Sequence, residues 1–167
     1  MNFNSSFELL IGSEGGYSKD PRDKGNWDSG RCNIGTLKGT KYGISANQYP
    51  LENIADLTLE RSKQLYKRDY WDKLNCDQMP TTVAFDMFDM AVNSGVKTAA
   101  LILQKTVHSF QDGVIGKQTL DAIFAMDMQL LDKRLSANRL LYLCSLESFP
   151  IYGKGWVKRV ANNLLLD

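Results

Sequence analysis

The sequence predicts a mainly α protein, and three observations carry that expectation. Apolar residues recur at helical spacing through several long segments. The stretch Thr81 to Asn93 is apolar nearly all round, the mark of a central buried helix. Cleanly alternating runs, which would signal half-buried strands, are missing outside the region from Tyr17 to Thr40.

Taken in order, Ser5 and Glu8 form a capping box, and Phe7, Leu10 and Ile11 follow at helical spacing. Gly15 and Gly16 are expected to stop that helix. From Tyr17 to Thr40 the chain is rich in Gly, Asp, Asn and Lys. It reads as a loop with a small hairpin, punctuated by Gly30, Gly35 and Gly39. A loop of that length inside a compact domain is usually functional.

Ser45 is expected to cap a short helix ending before Pro50. Thr58 to Arg61 opens a better helix, with Leu59, Leu65, Tyr66 and Tyr70 near one face, ending around Trp71 to Leu74. The buried helix after Pro80 is broken by Gly95, and Lys97 to Val107 resumes. Asp112-Gly113 is a turn, and Lys117 to Phe124 and Asp127 to Leu146 are helical by pattern. Pro150, Gly153 and Gly155 interrupt before a last helix from Trp156 to Leu165.

A chain of 167 residues can bury a real core without staples and favours one compact domain. Net charge is +1 and the basic residues are scattered, so nucleic acid lacks its electrostatic footprint. Cys32, Cys76 and Cys144 form neither a disulfide framework nor a zinc pattern, and are expected as thiols in a protein made in the cytosol. No run is long enough to span a bilayer, and Met1 to Ser6 lacks the basic start of a signal peptide. His108 is the single histidine, with no nucleophile at a telling spacing. That argues against a Ser-His-Asp or Cys-His site, and against a zinc peptidase.

The chemistry therefore falls on carboxylates. Cleaving a glycosidic bond needs a protonated acid beside the leaving oxygen and a second group that activates water or stabilises the cation. Glu14, between an apolar helix and two glycines, suits the acid. The carbonyl end of a helix disfavours a second negative charge, and the apolar helix and Tyr17 would desolvate the carboxyl. Taken alone, a Glu beside Gly-Gly is more often a solvated helix end.

The surrounding pattern is more specific. Glu14-Gly15-Gly16-Tyr17, Asp20-Pro21-x-Asp23 and Thr40-x-Tyr42-Gly43-Ile44-Ser45 resemble glycoside hydrolase family 108, the N-acetylmuramidases of phage endolysins and bacterial cell-wall enzymes. The match continues through Tyr70-Trp71-Asp72, Asp86 to Gly95, Gln104, Asp112 to Thr119 and Gly155 to Val160, covering nearly the whole chain.

The resemblance implies hydrolysis of the β-1,4 bond between N-acetylmuramic acid and N-acetylglucosamine in peptidoglycan, with no cofactor and no metal. It implies a mainly α, lysozyme-like fold, with a small loop and hairpin lobe and a larger helical lobe enclosing a cleft. The whole of 1–167 is then one domain, 1–80 the catalytic lobe and 81–167 a helical lobe resembling a peptidoglycan-binding region. Glu14 matches the proton donor. By the order of residues in phage-type lysozymes, Asp23 activates water with Thr40, though Asp20 and Asp28 on the same loop stay open for that role. Tyr17, Trp27 and Tyr42 are candidates for the sugar groove, and Trp27 could equally pack its own loop. The segment from Asp112 to Thr119 resembles a wall-binding motif, but a turn between two helices is the preferred reading.

The expected partner is peptidoglycan, with no nucleic acid, no membrane insertion and a monomeric state. The expected route is synthesis in a bacterial host cytoplasm without a signal peptide, then action on periplasmic peptidoglycan after holin-type release. Two other readings stay open: a lytic transglycosylase, which needs one acid only, and a non-catalytic wall-binding scaffold. Asp86 and Asp89 need partners if buried, and Arg159 or Lys158 are expected to supply them.

Overall fold

The computed structural model describes residues 1–12 and 16–166. Glu14, the expected proton donor, lies outside the described residues together with Ser13, Gly15 and Asp167. The chain falls into two compact units, Asn4–Arg68 and Met1–Phe3 with Asp69–Asp167. The fold is mainly α and lysozyme-like, with one small hairpin.

Helix α1 spans Phe3–Ile11. It starts before Ser5, so the expected capping box lies inside the helix rather than at its mouth. It also stops earlier than expected. Gly12 takes φ +58 while its N–H still bonds Glu8 O at 3.0 Å, so the left-handed residue that ends the helix is Gly12 and not the Gly15-Gly16 pair. The hairpin is β1 (Thr40–Lys41) and β2 (Ile44–Ser45), antiparallel with Thr40 opposite Ser45. Its turn residues, Tyr42 and Gly43, both have positive φ, as a two-residue connection matching strand twist requires.

Ser45 caps no helix. It ends β2, and its carbonyl accepts a single isolated turn bond from Tyr49 N at 3.0 Å. Helix α2 (Leu59–Tyr66) starts where expected, with the Thr58 hydroxyl accepting from Arg61 N at 3.1 Å. Leu65 and Tyr66 are buried; Leu59 is exposed. Phe7, Ile44, Ala46, Ile54 and Leu57 complete the core of this unit, where Phe7 meets Tyr66 edge-on at 5.6 Å.

After α2 a wide turn, Lys67–Trp71, is followed by two short 3-10 turns and, in the larger unit, by α3 (Thr81–Ser94). Helices α4 (Val96–Thr106), α5 (Lys117–Ala125), α6 (Met128–Cys144) and α7 (Phe149–Asn163) follow. Helix α3 packs on α4, α4 on α6 and α6 on α7. The all-round apolar character of α3 is explained by its burial: Val83, Ala84, Phe85, Met87, Phe88, Met90 and Ala91 are all inside. Phe3, Trp71 and Phe88 form an edge-to-face cluster with centroids 5.4 to 5.9 Å apart.

Helix α7 begins earlier than the glycines suggest. Pro150 sits in its first turn, where no backbone donor is needed. Gly153 continues the helix, and a Cβ there would lie 2.7 Å from the Phe149 ring. The glycine is a seat for an aromatic ring, not a break.

Asp89 is buried and carries two cations. Arg139 Nη2 donates to it at 2.6 Å and Arg159 Nε at 2.7 Å, with Asn163 Nδ2 at 3.1 Å. One carboxylate thus ties α3, α6 and α7. The expected partner Arg159 is present, and Arg139 joins it. A second polar hub is Gln104, buried on α4. Its amide donates to Asp112 Oδ1 at 2.7 Å, Val114 O at 3.0 Å and Thr119 Oγ1 at 3.3 Å, and accepts from Gly113 N at 2.9 Å. The segment from Asp112 to Thr119 is therefore a turn fastened between α4 and α5.

Candidate active-site loop

The expected site residues other than Glu14 all fall in the unit Asn4–Arg68, and a single buried residue organises them. Asn26 ends a 3-10 turn, Lys24–Asn26, and is wholly buried. Its side-chain amide donates to Asp20 O at 3.0 Å, and its side-chain oxygen accepts the Thr40 hydroxyl at 2.7 Å. Its backbone carbonyl accepts from Lys38 N and Gly39 N, both at 2.9 Å, and its own N–H bonds Asp23 O at 3.1 Å. A buried residue with a hydrogen bond at each of its polar atoms makes the long loop a fixed object. The loop is closed at its base by Ser18 and Thr40, whose N–H and C=O groups pair at 2.8 and 2.9 Å.

The three loop carboxylates differ sharply. Asp20 is gripped by its neighbour: Arg22 Nε donates at 3.0 Å and Arg22 Nη2 at 2.8 Å, and the Arg22 N–H adds a third bond at 2.9 Å. These bonds hold its carboxyl down at about 2. Asp28 accepts from Thr36 N at 2.8 Å, has Lys38 Nζ at 3.7 Å, and is also held below the usual carboxylate range, chiefly by the Thr36 bond. Its Oδ1 fills the space where a side chain at Gly35 would stand.

Asp23 is exposed and meets no cation among the described residues. Its Oδ1 accepts from Gly25 N at 2.8 Å, capping the short 3-10 turn, while Oδ2 has no partner there. A carboxylate that is fixed by one oxygen and open at the other is suited to take a proton from water.

Thr40 stands on β1 with its O–H committed to Asn26, so the hydroxyl oxygen can only accept from anything that approaches. Asp23 and Thr40 do not bond each other directly; both are positioned through Asn26. Sequence reasoning missed Asn26. Its one signal was a polar amide between two glycine-rich turns, which does not distinguish it from a solvated loop residue.

Tyr17 lies half-exposed against Gly39, its O–H donating to Lys38 O at 2.9 Å. Gly39 has φ +93, and a Cβ there would sit 2.6 Å from the tyrosine ring. Trp27 turns inward on its own loop. Its indole N–H donates to Pro21 O at 2.9 Å and its backbone bridges Leu37. Tyr42 is held in the left-handed region at the hairpin turn, where Tyr66 Oη donates to its carbonyl at 3.2 Å. Lys41 Nζ stands 5.5 Å over the Tyr42 ring. These three aromatics are thus distributed along the loop and hairpin, not gathered into one cluster.

Among the described residues no group of three His, Cys, Asp or Glu side chains is placed to hold a metal. His108, in the helical unit, meets Arg134 at 3.4 Å, and Cys32, Cys76 and Cys144 form no disulfide among the described residues. No helix among the described residues is long and apolar enough to cross a membrane.

Comparison with known proteins agrees with the resemblance read from the motifs. The family model described as glycosyl hydrolase 108 matches residues 7–95, a span that includes Glu14, Asp23 and Thr40. Among solved structures, SagA of Brucella abortus is similar at 31% identity with a TM-score of 0.79, over 96% of this chain and 90% of that chain. Comparison with curated proteins finds no match.

Proposed function

The chain belongs to glycosyl hydrolase family 108 and is a glycoside hydrolase, and on that footing we propose that it is a muramidase with Glu14 as its general acid. The substrate is peptidoglycan and the bond cut is the β-1,4 linkage from N-acetylmuramic acid to N-acetylglucosamine. Glu14 gives its proton to the glycosidic oxygen as the bond from C1 to that oxygen breaks. Water supplies the new bond to C1, and Asp23 takes the proton that water releases. Thr40, whose own proton goes to Asn26, accepts a hydrogen bond from that water and leaves its other hydrogen for Asp23.

One observation carries the choice of Asp23: of the three loop carboxylates, it is the one without a cation or a full set of backbone donors, and it shares the Asn26 frame with Thr40. Tyr17 and Tyr42 serve the sugar groove in this reading. Trp27, whose ring nitrogen is bound to Pro21, steadies the loop. The enzyme acts as a monomer on periplasmic wall after holin-type release, a reading supported by the family resemblance of the motifs.

The test is mass spectrometry of soluble products from purified sacculi, with wild type and Glu14→Gln in parallel. Reducing N-acetylmuramic acid ends from wild type, with release by the variant reduced at least about 100-fold, are expected. Anhydro ends would mean a transglycosylase. Reducing N-acetylglucosamine ends would mean the other bond, and no release by wild type would mean a binding scaffold.

A further inference from the structure

The helical unit holds a pocket of about 190 Å³ that the reaction above does not use. Its wall is made by Ser94 at the end of α3, Arg139, Tyr142 and Leu146 on the α6 side, and Trp156 and Arg159 on α7. Two guanidinium groups face it, and no carboxylate is among the lining residues.

The guanidinium groups are only partly engaged. Asp89 takes Nη2 of Arg139 and Nε of Arg159. The Arg139 side chain is 5% exposed, yet its Nε–H has no acceptor among the described residues. Arg159 is more open, at 38%, and its two terminal nitrogens likewise find no acceptor there. A buried donor without an acceptor is unfavourable, so the fold keeps a cationic donor on Arg139, and open terminal nitrogens on Arg159, that its own described groups do not satisfy. Arginine forks match carboxylates in shape and charge. Among the same lining residues, Trp156, Tyr142 and Leu146 offer apolar contact to whatever body carries the charge.

We propose that this pocket binds a carboxylate on a short aliphatic residue, namely the peptide stem of peptidoglycan. The identification of the stem rests on the reading of peptidoglycan as substrate. The lining selects the class of ligand: the open terminal nitrogens of Arg159, with the Arg139 cation behind them, suit a carboxylate, and Trp156, Tyr142 and Leu146 suit a small apolar side chain. The protein would then grip the wall polymer by its peptide as well as cut it at the glycan.

The test reads binding without turnover. Uniformly ¹⁵N-labelled protein is titrated with the tetrapeptide L-Ala-γ-D-Glu-meso-diaminopimelyl-D-Ala, and the Trp156 indole signal, assigned by its loss in Trp156→Phe, is followed. The peptide is expected to shift that signal saturably. The same peptide with every carboxyl amidated, and inorganic phosphate, should each bind at least ten-fold more weakly. Arg159→Gln and Ser94→Glu should each weaken the peptide at least ten-fold. Ser94→Glu leaves the Asp89 bridge intact and supplies a competing carboxylate, so it tests the pocket even where Arg159→Gln loosens α7. No shift at Trp156, equal binding of the amidated peptide or of phosphate, or unaltered binding by Ser94→Glu would overturn the proposal. Glu14→Gln should bind the peptide like wild type. Sacculus hydrolysis without peptide binding overturns the pocket alone; peptide binding without product release overturns the muramidase reading alone.

Discussion

The Thr40 hydroxyl donates to Asn26 Oδ1 at 2.7 Å, and through that bond the first strand of the hairpin is fastened to the turn that carries Asp23. Asn26→Ala removes the bond and strands the Asp20 carbonyl as well. Loss of these buried bonds should cost about 1–3 kcal/mol each at most, with partial relief from water. Urea unfolding should show the loss, and, if Asp23 and Thr40 act as proposed, lysis of sacculi should fall further than stability does, because the two lose their register together.

Asp20, Asp23 and Asp28 are separable by substitution. Asp23→Asn keeps the cap on Gly25, since an amide oxygen also accepts, but removes the base. It should lower kcat by about 100-fold or more with little change in melting temperature. Asp20→Asn and Asp28→Asn lose the Arg22 and Lys38 attractions and should loosen the loop while keeping most of the turnover. A larger loss of kcat in either of these than in Asp23→Asn would move the base.

Asp86 gives a pH signature. Burial pushes its carboxyl from 3.8 up to about 6, against the lowering field of Arg139. A raised carboxyl binds its proton more tightly when folded, so this contribution is complete below about pH 4. It is lost as pH rises through 6, for a total of about 3 kcal/mol. Asp86→Asn has no proton to lose. Its stability relative to wild type should therefore rise between pH 4 and 6 and level off above about 7, as read by urea unfolding across that range.

Asp89 should behave as the centre of a buried ion pair. Asp89→Ala leaves the Arg139 cation without its partner and should destabilise the fold by about 3–5 kcal/mol. Arg159→Ala, at the more exposed end of the bridge, should cost markedly less. Thermal melting of the two variants side by side checks this difference.

Most helices were legible because their signals are local. Thr58 and Asp127 cap α2 and α6 through their side chains, and Gly95 separates α3 from α4. The misreadings came where the rest of the same helix overrides a single-residue rule. Gly153 breaks nothing because Phe149 needs its missing side chain, and Ser5 is interior because α1 starts at Phe3. At the site, residue types were legible and their commitments were not. Asp20, Asp23 and Asp28 read alike in one dimension. What divides them is that Arg22 folds back on Asp20 and that Thr36 and Lys38 return to Asp28 across the loop. Trp27 reads equally as groove or loop in one dimension, and its indole bond to Pro21 O is made across the fold of the loop. Asn26 carried no pattern at all, since its importance lies in what it touches.

The Gln104 hub bears on how this protein can be taken apart. The turn from Asp112 to Thr119 has its amide, carbonyl and hydroxyl groups answered by a side chain from another helix. Excised as a cassette and spliced onto a foreign carrier, it would arrive without that answer and collapse into solvent-bound chain. Anyone moving this turn to another scaffold should move α4 and α5 with it, as one indivisible graft.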